Sequence, residues 1–441
     1  MGNRFSIKST WISSIHEVEE VRETSAMLGI ALGDGFATRN QDNWSNTVLD
    51  EVRLSAYPLA LWFASSWWRL RWEPLPLEAS PPVAWRMAHE MAAAGFGYVW
   101  PQIVFASDGD TIQIASIHSK AGSKEAVHYL ADCTIAIDAQ TFEREIDAFI
   151  DLTLARLQAR LGRPTDLQSL WGEIKEERRD ASLANERRLE AMLGFDPDEC
   201  PSDILELFKG LSLKAGSSAV AEIAPACATE DPGASIREIL ANAEMGDLAG
   251  KVNDVLKPGS YGVDTSIPAW ECGWQLARKV RTALSLKEAP LSDEILCDLV
   301  GIPKDKMISL EVHSKRRPIG LSVRNGHVSE FKHIFRKRHL TGRRFELSRF
   351  ICEYLATGAN DDWLPSTDAK TARQTIQRSF AAEFLCPIEA IRAHADGDYS
   401  DDSIEDLADY FRVAPLAIQT QLVNNKILSS TTINETGWPM Q

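Results

Sequence analysis

The chain lacks the paired cysteines that a disulfide-stabilised protein or a zinc ribbon would carry. It has seven cysteines in 441 residues, and no two of them form a C-x-x-C pair. They are Cys133, Cys200, Cys227, Cys272, Cys297, Cys352 and Cys386. Spacing this wide argues against a disulfide framework and favours a reducing compartment. We therefore predict a cytoplasmic protein.

The sequence also lacks long apolar runs, and we expect no secretory leader at its start. No window reaches the roughly 18 uninterrupted apolar residues that a membrane span needs. The first residues, Met1 to Ser6, lack the apolar stretch and cleavage site of a secretory signal. No Gly-rich phosphate loop, Ser-His-Asp arrangement or dinucleotide fingerprint appears. The sequence predicts no membrane partner and no cofactor.

Positive charge is scarce relative to negative charge. The formal net charge is −16. Nucleic acids and acidic membranes are polyanions, so this charge disfavours non-specific binding of either by the molecule as a whole. The length of 441 residues exceeds that of one typical core. Since domains usually hold roughly 100–200 residues, the chain should contain about two to four of them.

Hydrophobic patterning divides the chain into three predicted regions with an α+β fold overall. Residues 1–165 combine β-prone runs, including a hairpin around Ser107 to Asp110, with a buried tryptophan-rich helix over 59–72. Residues 166–257 follow a helical pattern and are predicted to form a helical middle domain. Residues 258–441 form the third predicted domain. We interpret the clustered tryptophans as core residues rather than as a ligand-stacking platform.

Three segments of the third region occur in a specific order. Gly273 to Arg281 follows the pattern of a G-x-x-L-A-x-x-V-R helix, Gly342 to Ser348 reads G-R-R-F-E-L-S, and Phe380 to Pro387 reads F-A-A-E-F-L-C-P. In content and order these segments resemble the peptidase domain of the ImmA/IrrE family of zinc peptidases, over about 268–430. The resemblance implies a zincin-like domain at 258–441 that is mostly helical with a small sheet.

The residues that carry the chemistry of that family are replaced here. In the family, H-E-x-x-H follows the R-R-F segment, whereas this chain has R-F-I-C-E from Arg349 to Glu353. Two histidines one helical turn apart bind Zn²⁺, and the glutamate between them activates the metal-bound water. The third ligand, a glutamate in the family, corresponds to Gln374. The resemblance implies a degenerate site at Arg349, Phe350, Glu353 and Gln374, without catalysis or metal.

One expectation concerns Arg349 and Glu353, which lie at i and i+4 on the same predicted helix. Opposite charges at this spacing face each other on one side of a helix. We expect a direct ion pair in the volume that metal and ligands would fill. Arg349→Ala should then destabilise the domain more than a change of a surface arginine, because removing one partner of an enclosed pair leaves a buried charge.

The first functional hypothesis is a regulatory or interaction protein that binds a partner on a peptidase-like scaffold. The family resemblance implies a protein partner such as a helix-turn-helix regulator, in phage defence or mobile-element control. The unit at 403–428 has a helix-turn-helix pattern of its own. Its presumed second helix has only Lys426 as a basic residue, so we interpret the unit as structural packing.

Two other hypotheses remain open. An active zinc peptidase could use non-standard ligands, namely Glu353, His333 and His339. A nucleic-acid-binding effector could instead use the basic run at 315–349, which is unusual in an acidic chain. That run could equally bind an acidic protein or neutralise acidic residues of the same chain. Its candidate binding residues are Lys332, Arg336, Lys337, Arg338 and Arg343.

Overall fold

A computed structural model describes most of the chain. The described residues are 4–42, 45, 47–78, 80–120, 125–258, 261, 267–311, 317–357 and 361–429. They form an α+β fold, as the sequence predicts, and divide into two compact units, one up to Leu205 and one from Glu206 onward. Of the helices in this part of the chain, none combines the length and apolar character needed to span a bilayer.

The first unit consists of three small antiparallel sheets with helices packed on them. Its elements are β1 (Phe5–Trp11), α1 (Glu19–Glu23), β2 (Ser25–Leu32), β3 (Gly35–Phe36), β4 (Asn40–Asp42), β5 (Thr47–Leu49), β6 (Val52–Ser55), α2 (Ala56–Ser65), α3 (Trp67–Trp72), α4 (Val83–His89), a 3-10 turn (Met91–Ala94), β7 (Gln102–Ser107), β8 (Thr111–Ile117), β9 (Val127–Tyr129), β10 (Cys133–Asp138), α5 (Ala139–Leu161), α6 (Asp166–Arg179) and α7 (Ala181–Met192). The sheets have the orders β1-β2-β3 with β6 also on β2, β10-β8-β7, and β5-β4-β9.

Two predictions for this unit are confirmed. The hairpin is formed by β7 and β8, with Ser107 paired to Ile112 next to the turn. The tryptophan-rich run is helical and buried, and Trp62, Trp67 and Trp68 are each at most 6% exposed. The run is two helices rather than one, because α2 ends at Ser65 and α3 begins at Trp67. These indoles lie in the core of the unit, which agrees with the packing interpretation.

The second unit is mostly helical around one antiparallel sheet. Its elements are α8 (Ser202–Ala215), which begins just before the boundary, α9 (Ser217–Cys227), α10 (Pro232–Met245), β11 (Leu248–Lys251), α11 (Ala269–Ala283), α12 (Asp293–Val300), α13 (Lys304–Ser309), β12 (Gly320–Arg324), β13 (Glu330–Ile334), α14 (Leu340–Thr357), β14 (Trp363–Ser366), α15 (Ala372–Leu385), α16 (Ile388–Ala395), α17 (Asp401–Phe411) and α18 (Pro415–Asn424). The strand order is β11-β13-β12-β14.

The predicted middle domain at 166–257 is divided between the two units. Leu167, Trp171 and Ile174 on α6 are buried in the core of the first unit. The later part contains a strand, β11, where only helix was predicted, and Leu248 of β11 pairs with His333 of the second unit's sheet. Helical periodicity was therefore correct for α6 to α10, but it does not tell which core each helix joins.

A close helix crossing fixes the position of α15 in the second unit. A Cβ atom at Gly273 of α11 would lie 2.2 Å from the carbonyl oxygen of Ile376 and 2.9 Å from the amide nitrogen of Phe380, both on α15. Any residue larger than glycine would separate the two helices. Thr371 caps the start of α15 by accepting a hydrogen bond from the amide of Gln374. Both features hold the helix that carries Gln374.

Candidate functional site

The four residues of the predicted degenerate site lie together inside the second unit. Arg349, Phe350 and Glu353 on α14 and Gln374 on α15 are each at most 4% exposed. The guanidinium of Arg349 donates a hydrogen bond to the side-chain oxygen of Gln374. The site is thus a buried contact between α14 and α15, and the side chains at 349 and 374 meet directly.

Gln377 links Arg349 to Glu353. Its side-chain oxygen accepts from Nε of Arg349 at 3.2 Å, and its nitrogen donates to Oε2 of Glu353 at 2.6 Å. Glu353 forms its ion pair with Arg373, whose Nε lies 2.6 Å from Oε1 of Glu353. The expected ion pair between Arg349 and Glu353 is therefore replaced by an amide bridge. The i, i+4 rule describes an exposed helix face, whereas here side chains of α15 enter between the two charges.

The same side chains satisfy the backbone at the end of β14. Gln374 accepts from the amide of Thr367 at 2.9 Å and donates to the carbonyl of Pro365 at 3.3 Å. Gln377 also donates to Pro365, at 3.1 Å, and Arg349 donates to the carbonyl of Thr367 at 2.8 Å. β14 is an edge strand, and one side of an edge strand has backbone N–H and C=O groups that no neighbouring strand pairs with. Here the side chains at the degenerate site provide partners for them.

A second group of buried charges surrounds Arg373. Its guanidinium pairs with Glu353 and with Asp361, whose Oδ2 is 3.0 Å away. Glu222 on α9 accepts a hydrogen bond from Thr371 at 2.9 Å and is 3% exposed. Burial raises the pKa of Glu222 to about 7, although the positive charge of Arg373 acts in the opposite direction. Glu222 is therefore close to half-protonated near neutral pH.

A small cavity of about 20 Å³ adjoins Arg349 and Glu353. Phe350 lies against His333 on its wall, with ring centroids 4.7 Å apart in an edge-to-face arrangement. Burial lowers the pKa of His333 to about 3, so the imidazole is neutral at physiological pH. A cavity of this size holds about one water molecule.

The alternative zinc site is not assembled. His333 and Glu353 line the same cavity, but His339 is exposed just before α14. Across the described residues, no group of three or more histidine, cysteine, aspartate or glutamate side chains is placed to hold a metal ion. Zinc in proteins takes three or four such ligands. The residues present do not fit zinc, and His339 is corrected as a candidate ligand.

Over its described residues, 317–349, the basic run is not one surface patch, and Lys315 and Arg316 lie outside the described residues. Arg336 is 8% exposed and pairs with Glu346 and Asp368, each at 2.8 Å. Arg343 is 4% exposed and donates to the carbonyl of Leu310 at 2.6 Å. The prediction that Arg336 and Arg343 bind a partner is corrected, because their charged groups are engaged inside the unit.

The accessible part of the run is smaller. Lys332 and Lys337 are partly exposed and Arg338 is exposed. Near the end of the unit, α17 exposes five carboxylates, which are those of Asp401, Asp402, Glu405, Asp406 and Asp409. Carboxylates at a surface repel phosphate groups. The helix-turn-helix-like unit thus has charge of the wrong sign for a DNA-reading element.

A further buried charge cluster lies in the first unit, and sequence inspection did not select it. Glu73 accepts from Nε of Arg69 at 2.6 Å, and its Oε2 is 2.9 Å from Nε2 of His89. Nδ1 of His89 is 2.9 Å from the carbonyl oxygen of Phe105. Trp85 stacks on the imidazole with 4.0 Å between centroids. The sequence around His89 does not predict this contact, because Glu73 lies 16 residues earlier in the chain.

Comparison with known proteins leaves the family unassigned. No protein-family model, curated protein or solved structure matches the chain. The ImmA/IrrE resemblance therefore stays a prediction from the three sequence segments. Any inference about function has to rest on the chemistry of the buried side chains.

Proposed function

We propose that the protein is a catalytically inactive, peptidase-like regulatory or interaction protein. The observation that carries this proposal is the hydrogen-bond network of Arg349, Gln374 and Gln377. The first two fill the positions that the resemblance assigns to one histidine ligand and the carboxylate ligand, and Gln377 joins Arg349 to Glu353. All three are buried and hydrogen-bonded to one another and to the backbone around β14, which supports a structural role at these positions in place of a metal.

The groups that peptide hydrolysis requires are also missing at these positions. A metallopeptidase needs a Lewis acid and a general base within reach of the attacking water. Phe350 occupies the position of the base and packs on the aromatic rings of Phe331 and His333. The guanidinium of Arg349 has no lone pair for a metal. A role in binding rather than cleavage accounts for a domain with these replacements.

We propose a protein partner, and by family resemblance a helix-turn-helix regulator, in phage defence or mobile-element control in the cytoplasm. The net charge of −16 and the acidic exposed face of α17 favour a partner surface with basic residues over a nucleic acid. The burial of Arg336 and Arg343 removes two of the five basic residues on which a nucleic-acid hypothesis depends.

The metal content of the purified chain tests the loss of catalysis. We expect no bound zinc in the wild type and no cleavage of a helix-turn-helix regulator incubated with it and added zinc. The variant Arg349→His/Phe350→Glu/Glu353→His/Gln374→Glu should acquire one zinc per chain, because it restores three ligands and the base. The matched control omits Gln374→Glu and should bind zinc more weakly. One tightly held zinc per wild-type chain would overturn the proposal.

The binding role needs its own measurement. Isothermal titration of the full chain with a helix-turn-helix regulator should give a saturable complex, and electrophoresis afterwards should show the regulator intact. We expect single-stranded and duplex DNA to bind at least tenfold more weakly at physiological salt. DNA binding tighter than regulator binding, with a steep loss on added salt, would favour the nucleic-acid hypothesis instead.

A further inference from the structure

Two buried polar atoms face the small cavity beside the degenerate site without a protein partner. Within the described part of the chain, Nε2 of His333 and Oγ of Ser366 have no hydrogen-bond partner. Both side chains line the cavity, and they are 2% and 7% exposed. A buried polar group without a partner costs about 1–3 kcal/mol. Two such groups at one cavity indicate that something else occupies it.

The remaining wall of the cavity limits the charge of that occupant. Arg349 lines it, and its positive charge disfavours a second cation. Glu346 and Glu353 line it as well, and their negative charge disfavours an anion. Each of them already pairs with another arginine, Arg336 or Arg373, which weakens its attraction for a cation. The His333 ring is neutral, because burial lowers its pKa to about 3. A neutral dipole is therefore the favoured class of ligand.

The size of the cavity limits the occupant further. Its volume of about 20 Å³ exceeds the ~10–15 Å³ that one water needs and leaves no room for a larger molecule. Buried waters typically make about three hydrogen bonds. We propose that this cavity binds one water molecule, held by Nε2 of His333 and Oγ of Ser366.

The neighbouring serine allows the ring to adapt to the water. Nδ1 of His333 lies 2.8 Å from Oγ of Ser322, and a hydroxyl either donates or accepts. If Ser322 donates a hydrogen bond to Nδ1, then Nε2 carries the ring proton and donates a hydrogen bond to the water. In the other tautomer Nε2 accepts from the water. Since water serves in both roles, either tautomer completes the hydrogen bonding of His333.

This inference does not depend on the proposed function. It requires only the two unpartnered atoms and the cavity between β12, β13, β14 and α14. If both hold, the chain keeps one water beside Arg349 and Glu353 as a structural group. Phe350, which faces the same cavity, cannot accept a proton from it.

A crystal structure of the full chain at high resolution tests the proposal. We expect one density peak within about 3.2 Å of both Nε2 of His333 and Oγ of Ser366. Ser366→Ala should abolish or strongly reduce the peak. The matched control, Ser348→Ala, changes a buried serine of α14 that donates to the carbonyl of Arg344, so it should retain the water.

Three results would overturn the proposal. The first is a wild-type cavity without density. The second is a peak that is as strong in Ser366→Ala as in the wild type. The third is anomalous scattering at the peak from crystals soaked in zinc or bromide, which would identify an ion. Zinc there would also count against the inactive-peptidase proposal, whereas an empty cavity would leave that proposal untouched.

Discussion

Among the residues that the structure describes, each unit buries one histidine, and the two rings have different partners. In the first unit both nitrogens of His89 face acceptors, the carboxylate of Glu73 and the carbonyl of Phe105. Acceptors face both nitrogens, an arrangement that a doubly protonated ring satisfies with its two N–H groups, and the charge of His89 is among the causes that lower the pKa of Glu73. In the second unit His333 faces one hydroxyl and the cavity, and burial lowers its pKa to about 3. Partners, and not burial alone, decide the charge.

The pKa shifts of Glu73, which contacts His89, and of Arg349, which lines the same cavity as His333, show the same difference. Burial raises the pKa of Glu73, but hydrogen bonds and charges of His89 and Arg69 outweigh it and lower the pKa overall. Burial lowers the pKa of Arg349 to about 9, with neighbouring cations acting in the same direction, and its hydrogen bonds are to amide and carbonyl oxygens. The cluster around His89 therefore stabilises charges by pairing, whereas burial shifts His333 and Arg349 of the second unit toward their neutral forms.

The largest effect should come from breaking the pairing in the first unit. Glu73→Ala leaves Arg69 and His89 as two buried cations without their shared carboxylate. Loss of one partner of a buried pair costs about 3–5 kcal/mol of the free energy of unfolding. Urea unfolding followed by tryptophan fluorescence measures it. Glu90→Ala, which removes the partner of the more exposed Arg86, is the control and should cost at most about 0.5 kcal/mol. Equal effects would contradict the comparison.

A pH effect should come next, from Glu222 in the second unit. Its pKa is about 7 in the folded chain, against 4.5 for an ordinary glutamate. Because this pKa is raised in the folded chain, the contribution of Glu222 to the free energy of unfolding is fully present below pH 4.5. That contribution is lost as the pH rises through about 7. A shift of this size corresponds to about 3 kcal/mol.

Unfolding in urea at several pH values checks this expectation. Glu222→Gln keeps the neutral form at every pH, so it should flatten the dependence between pH 4.5 and 7. Glu405→Gln on the exposed face of α17 is the matched control and should leave that dependence as in the wild type. A wild-type stability that rises over this interval, or a Glu222→Gln variant with unchanged slope, counts against the assignment.

Arg349→Ala should have a somewhat smaller effect. The substitution removes a donor from Gln374, Gln377 and the carbonyl of Thr367, and hydrogen bonds to a charged group contribute about 1.5–3 kcal/mol. No carboxylate directly bonded to Arg349 is left unpaired by it, so we expect a loss of about 2–3 kcal/mol, below that of Glu73→Ala. Arg392→Ala, on the exposed side of α16, should change stability by less than about 0.5 kcal/mol. An Arg349→Ala variant with the wild-type melting temperature would refute a structural role.

Sequence patterns predicted the local parts of this molecule better than the contacts between distant segments. The turn at Ser107 to Asp110 and the helical run over 59–72 depend on neighbouring residues, and both are found in the structure. The resemblance also implied that positions 349, 353 and 374 belong to one site, and the structure brings them together in the second unit. The sequence did not predict the partners of these residues, which are Gln377, Arg373 and Glu222, because tertiary packing brings them from other helices. Likewise, the split of 166–257 depends on which core each helix enters.

The smallest effect should come from the rim of the charged cluster in the first unit. Oδ1 of Asp196 lies 3.7 Å from Nη1 of Arg69, but the aspartate side chain is 48% exposed. Water and salt screen such a pair, so Asp196→Ala should cost at most about 0.5 kcal/mol, and less at high salt. Urea unfolding at low and high ionic strength measures both quantities. If Asp196→Ala instead cost as much as Glu73→Ala, the stabilising charge for Arg69 would lie at the surface. The contrast between the paired charges around His89 and the shift of His333 and Arg349 toward their neutral forms would then fail.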